Sequence, residues 1–123
     1  MANATEMHEV LQKFRAIRGV GMAAVVSPEG LVIDSVQAPG FDADALAAVA
    51  TNGLLLAEAI GRQMERGGAL QTLIEYEQGA VLIEPIGEDG MVFVVSNEPN
   101  DLGRIRFMAR QYKGALTQAL AAV

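Results

Sequence analysis

The chain has 123 residues, of which 51% are hydrophobic and 20% charged, with a net charge of −6 and no cysteine. That length suits one domain over residues 1–123, with enough apolar material for a proper core. The acidic balance argues against nucleic acid as a partner, and the missing cysteine excludes a disulfide framework and thiolate chemistry.

The N-terminal stretch MANATEMHEVLQKF is polar and helical in pattern. It lacks the basic start and apolar run of a signal peptide, and no apolar run is expected to reach membrane-spanning length. A cytoplasmic protein without membrane insertion is expected. Asn3 caps a first helix, with Glu6 three residues on as its box partner. Met7, Val10, Leu11, Phe14 and Ile17 then recur at helical spacing until Gly19 and Gly21.

Met22–Ser27 and Leu31–Val36 are rich in β-formers, and Ser27-Pro28-Glu29-Gly30 between them is turn chemistry, so this is a hairpin. Asp42 caps a long helix that runs to about Arg66, where Gly67-Gly68 stops it. Leu70–Tyr76, Ala80–Ile86 and Met91–Ser96 follow, separated by glycine-bearing turns, and form a three-stranded meander. Asn100 or Asp101 caps a closing helix with the stripe Leu102, Ile105, Ala109, Tyr112, Leu116 and Leu120. The order αββαβββα defines an α+β architecture. Every Lys and Arg falls in a helical segment or at its end, and none in a strand.

The long helix carries Gly53 and Gly61, each costing roughly 1 kcal/mol relative to alanine in a helix interior. At about 100° per residue, Leu46, Val49, Gly53, Ile60 and Met64 form the stripe expected to cover the sheet. Beside it runs a flank of small residues, Ala43, Ala47, Ala50, Ala57 and Gly61, with Leu54 among them. Opposite lies a bland outward face, Ala48, Thr51, Leu55, Ala59 and Arg62. Close packing on the sheet accounts for Gly53. Gly61 is better explained by a neighbouring helix, and a second copy of the same helix supplies one naturally. A Gly61→Leu change is then expected to break a dimer.

The strand segment ALQTLIEYE supports the same idea. As the first strand of a meander it falls at a sheet edge, yet no Lys, Arg or Pro blunts it between Gly67 and Gly79. Thr72, Leu73, Ile74, Glu75 and Tyr76 thus form an edge open to pairing with another chain. Only Glu75 and Glu77, on one strand face, discourage it.

Catalytic chemistry is not found. His8 is alone, so no metal set of His and Cys forms. Ser27, Ser35 and Ser96 lack a nucleophile elbow. Gly19-Val20-Gly21 lacks the third glycine of a dinucleotide fingerprint, and no phosphate loop occurs. Arg62 and Arg66 suit a helix C-terminus better than a finger toward a nucleotide. No catalytic residue, metal or cofactor is assigned.

RGVGMAAVVSPEGLVIDS resembles the first hairpin of roadblock / dynein light-chain domains, GGALQTLIEYEQGAVLIEPIGEDGMVFVV their meander, and NDLGRIRFMARQYKGAL their closing helix. The resemblance covers nearly the whole chain and rests on combination and order, since no single motif is highly specific. It implies a profilin-like sandwich with one long helix on one face of a five-stranded antiparallel sheet and two helices on the other. It further implies homodimers with the long helices side by side and the third strands joining two sheets. That places Ala47, Ala50, Leu54, Ala57 and Gly61 with Thr72–Tyr76 at the dimer interface. The family's common role is to bind and regulate Ras-like small GTPases, in bacterial polarity systems among others. Carried over, this puts the GTPase on Ala48, Thr51, Leu55, Ala59 and Arg62. The resemblance implies no catalytic residues and no cofactor. Two features depart from it: no tail follows the closing helix, and the outward face of the long helix is unusually small and uncharged. The alternatives are an adaptor that joins larger assemblies without a GTPase, and a small-molecule sensor with a pocket between sheet and helix.

Overall fold

The computed structural model describes residues 4–98 and 101–123. The proposed caps Asn3 and Asn100 lie outside the described residues. Met7, Val10, Leu11 and Phe14 lie three and four apart, so α1 (Ala4–Arg15) presents them on one face and buries all four. Strand β1 (Val20–Val26) is buried along its whole length. A strand covered on both faces has no polar alternation, which is why VGMAAVV is continuously apolar or small. It pairs antiparallel with β2 (Val32–Gln37), Ala24 standing opposite Ser35. In the turn between them Gly30 takes the left-handed φ of 88°, and its N–H donates to the Ser27 carbonyl at 3.0 Å.

Helix α2 (Ala43–Met64) starts where expected, the Asp42 carboxylate accepting from the Ala45 N–H at 3.1 Å. It stops sooner than Gly67-Gly68 suggested. Glu65 itself turns left-handed (φ 55°), and the Arg66 N–H returns to the Gly61 carbonyl at 2.9 Å. The meander comprises β3 (Thr72–Tyr76), β4 (Gly79–Pro85) and β5 (Met91–Ser96). The sheet order is β2-β1-β5-β4-β3, and every neighbouring pair is antiparallel. The first strand of the meander is therefore at an edge, as its position in the sequence implied. Glu77 lies in the β3–β4 turn rather than on the strand, so it does not share a strand face with Glu75.

The closing helix is two segments, α3 (Leu102–Gln111) and α4 (Lys113–Ala121), not one. Tyr112 at the joint has ψ near 3°, and Gly114 follows it. Main-chain bonds continue on both sides, Tyr112 N–H to the Met108 carbonyl and Leu116 N–H to the Tyr112 carbonyl, both at 2.9 Å, so the change is a kink. Asp101 occupies the N-cap position of α3 without a side-chain capping bond.

Alternation along the strands divides the interior into two cores. One lies under α1, α3 and α4 and contains Leu11, Phe14, Val25, Leu82, Ile86, Ile105 and Leu116. The other lies under α2 and contains Met22, Ala24, Val26, Ile83, Met91 and Phe93.

The orientation of α2 corrects the sequence expectation. Its buried side chains are Ala43, Ala47 and Ala50, with Leu46 and Leu54 packed beside them. The small flank therefore faces the chain's own sheet. Val49, Ile60 and Met64, expected to cover the sheet, are 68%, 51% and 56% exposed. The physical reason is approach distance: alanines let the helix backbone settle close to the strands, while larger side chains are left at the flanks. A second correction concerns length, since α2 is long and apolar enough to cross a membrane by length and composition. Its apolar residues are interrupted by Asp44, Thr51, Asn52 and Glu58, so no unbroken run exposes this in the sequence.

Candidate protein-interaction surface

An apolar helix whose buried positions are alanines, with only Leu46 and Leu54 packed beside them, leaves its other large side chains without cover. Val49, Leu56, Ile60 and Met64 form an exposed ridge along one flank of α2. Beyond the ridge lies the free edge of the sheet, where Leu70, Ile74 and Tyr76 are exposed. Between helix and strands runs a groove of about 340 Å³, walled by Val49 and Leu56 on one side and Ile74 and Tyr76 on the other. Val81, Ile83 and Phe93 form its floor. Contiguous apolar surface of this kind marks a place where another molecule sits. The β3 backbone supplies unpaired hydrogen-bonding groups along the same border.

The residues singled out in the sequence are brought together unevenly. Ala47 and Ala50 are buried against the chain's own sheet and offer a second chain no surface. Leu54 packs on the same core, and Ala57 is half-buried. Gly61 has an intrachain reason for its size: a Cβ there would stand 2.7 Å from the Gly67 carbonyl oxygen. The neighbour expected to be another helix is thus the turn that follows α2. A Cβ at Gly53 would meet only the Ile83 Cδ1, at 3.4 Å, which agrees with packing on the sheet. Thr72 and Leu73 are half-buried, whereas Ile74, Glu75 and Tyr76 are exposed.

The outward set is split as well. Leu55 is 60% exposed, and Ala48 and Arg62 are also exposed, while Thr51 and Ala59 are half-buried. The Thr51 hydroxyl donates to the Ala47 carbonyl at 2.9 Å. Ala48 and Thr51 abut the Gly30 turn, which accounts for their modest size. Leu56 is a surface residue that the helical wheel left unassigned.

One polar cluster had a signal in the sequence that went unused, a Glu inside the apolar run VLIEPI. Glu84 on β4 is buried, and its Oε1 accepts from the Gln71 Nε2 at 2.9 Å. Gln71 Oε1 in turn accepts from the Arg106 Nε at 2.8 Å. Oε2 of Glu84 has no partner among the described residues. Burial pushes this carboxyl above its ordinary range, against the downward pull of the Gln71 hydrogen bond and the charges of Lys113 and Arg110. At the other sheet edge His8 Nδ1 lies 3.0 Å from an Asp34 carboxylate oxygen, tying α1 to β2. Among the described residues no three His, Cys, Asp or Glu side chains come together as a metal site would require.

A five-stranded antiparallel sheet with helices on both faces, and an apolar helical ridge beside an open strand edge, defines an α+β protein-interaction domain. The chain belongs to the Roadblock/LC7 domain family, whose model matches residues 6–97. Its relatives include an uncharacterized protein of Methanocaldococcus jannaschii, 35% identical over 103 residues, covering 83% of this chain and 86% of that one. Among solved structures, the gliding protein MglB of Thermus thermophilus superposes with a TM-score of 0.86 at 17% identity, covering 100% of this chain and 96% of that chain. Myxococcus xanthus MglB gives 0.87 at 14% identity, with 98% of each chain covered. An MglB structure described as a tetrameric arrangement gives 0.83 at 18% identity, covering 96% of this chain and 91% of that chain. At these identities the structural likeness speaks for the fold.

Proposed function

We propose that this chain is a non-catalytic scaffold that acts as a homodimer and binds a Ras-like small GTPase. One observation carries the reading: the flank of α2 that bears Val49, Leu56, Ile60 and Met64 is apolar, exposed and continuous with the free β3 edge. A two-fold axis beside that flank lets the ridge cover its own counterpart, while β3 pairs with β3 of the second copy. Both elements are then satisfied at once, and the groove beneath the ridge is closed. Membership of the Roadblock/LC7 family supports the reading, as does the occurrence of a tetrameric arrangement in an MglB structure. The paired helices would offer the GTPase a platform that includes Leu55, Ala59 and Arg62. The same reading places the protein in the cytoplasm.

The test is titration of the protein with a Ras-like GTPase encoded in the same genome, loaded with GDP or with a non-hydrolysable GTP analogue. The expected result is binding that differs between the two nucleotide states and is lost on Leu55→Asp. Binding to neither state overturns the proposal. Equal binding to both states indicates an adaptor without nucleotide reading.

A further inference from the structure

Segments 4–18 and 102–123 hold seven of the nine Lys and Arg residues but only two of the fifteen acidic ones, Glu6 and Glu9, while Asp101 at the start of α3, Asp34 beside His8 and Glu98 beside Arg18 border them. The helices α1, α3 and α4 drawn from these segments share one face of the sheet. The protein is acidic overall and yet basic on that face. There a groove of about 430 Å³ runs between α1 and α3, with Lys13 on one wall and Arg104 and Phe107 on the other. Its lining contains no carboxylate. Phe14 and Phe93 are sealed in the cores and Phe41 packs against one, but Phe107 is 67% exposed. An exposed aromatic flanked by cations in a concave site is the composition of a binding hot spot.

The cations are ready for a ligand. Lys13 donates to the Tyr112 hydroxyl at 3.4 Å, and its Nζ lies 5.0 Å from the centre of that ring, which holds it at the rim. Arg104 is in neither of the ion pairs found among the described residues, which are His8–Asp34 and Arg18–Glu98. The neighbouring groove between α1 and α4 shares Lys13 and Tyr112 but also contains Glu6 and Glu9, so a negatively charged ligand is steered to the α3 side, where Arg104 stands.

We infer that the α1–α3 groove binds an acidic linear segment of a partner protein. Its carboxylates meet Lys13 and Arg104, and an apolar side chain rests on Phe107. A concave site suits a peptide better than a flat bilayer, to which α1, α3, α4 and the residues that follow present only Phe107 and Val123 as exposed large apolar side chains among the described residues. The groove lies across the sheet from α2, so this inference stands or falls independently of the dimer and of the GTPase.

The experiment is fluorescence anisotropy with a short labelled peptide alternating Glu and Leu, its Lys-for-Glu counterpart, and phosphatidylserine vesicles as a separate arm. The intact protein is expected to bind the acidic peptide, more weakly as salt rises, and to ignore the basic one. Arg104→Glu should weaken binding about tenfold or more, and Phe107→Ala several-fold. Both side chains are exposed, so neither change threatens the fold. Acidic-peptide binding that neither variant alters overturns the inference, as does no binding at millimolar protein. Capture by the vesicles without peptide binding also overturns it and assigns the face to a membrane.

Discussion

Glu84 keeps a carboxylate oxygen inside the protein without a partner. Because burial raises its pKa, the folded state holds this proton to higher pH than the unfolded chain does. The protonated group therefore favours folding at low pH, and that contribution is lost as pH rises through the folded-state value. Glu84→Gln removes the charge that burial penalises. At neutral pH the variant should be more stable by on the order of 1 kcal/mol, and the advantage should shrink at pH about 4. Urea unfolding at the two pH values checks this, and a variant less stable at neutral pH would contradict it. The helix glycines make a second pair of tests. Gly53→Ala meets only a flexible Ile83 methyl and should stabilise by about 0.5–1 kcal/mol through helix propensity. Gly61→Ala drives a Cβ into the Gly67 carbonyl, and the expected net loss is about 1–2 kcal/mol. Opposite shifts in urea midpoint are the readout. Gly61→Leu fails as a test of assembly, because it disrupts the chain's own turn first.

At the scale of elements, the strands and caps were legible because their chemistry is local. Ser27-Pro28-Glu29-Gly30 dictates a turn whatever surrounds it, and Asp42 caps α2 from three residues away. The rotation of α2 about its axis was not legible. A wheel ranks Val49 and Ile60 above Ala47 and Ala50 for burial, but the sheet selects residues by how closely the backbone can approach. Nor could the kink at Tyr112 be seen in a stripe that continues unbroken through it. For the candidate site the sequence located the edge strand correctly, and it identified an apolar helix with more surface than one sheet covers. It gave Ala47 and Ala50 to a second copy and Val49, Ile60 and Met64 to the sheet, and the structure reverses the two. The structure supplies Leu56, Ile60 and Met64 as the residues to change. Ile60→Asp should leave the isolated fold within about 0.5 kcal/mol, since the side chain is half exposed. A charge forced into a covered apolar seam should weaken self-association about a hundredfold or more. Circular dichroism melts together with sedimentation velocity separate the two effects.

For the whole molecule, the two faces of the sheet carry different surfaces. The α2 face is apolar along one flank, while the α1, α3 and α4 face is closed over a large core and is basic outside. A molecule with two unlike faces can hold a copy of itself on one and a different partner on the other. The particle mass by sedimentation equilibrium at micromolar concentration tests the central claim most directly. The expected result is twice the 13.0 kDa chain mass for the parent, or four times if dimers pair, with Ile60→Asp returning to one chain. A parent that stays at 13.0 kDa across the micromolar range would leave the α2 ridge uncovered and contradict the account.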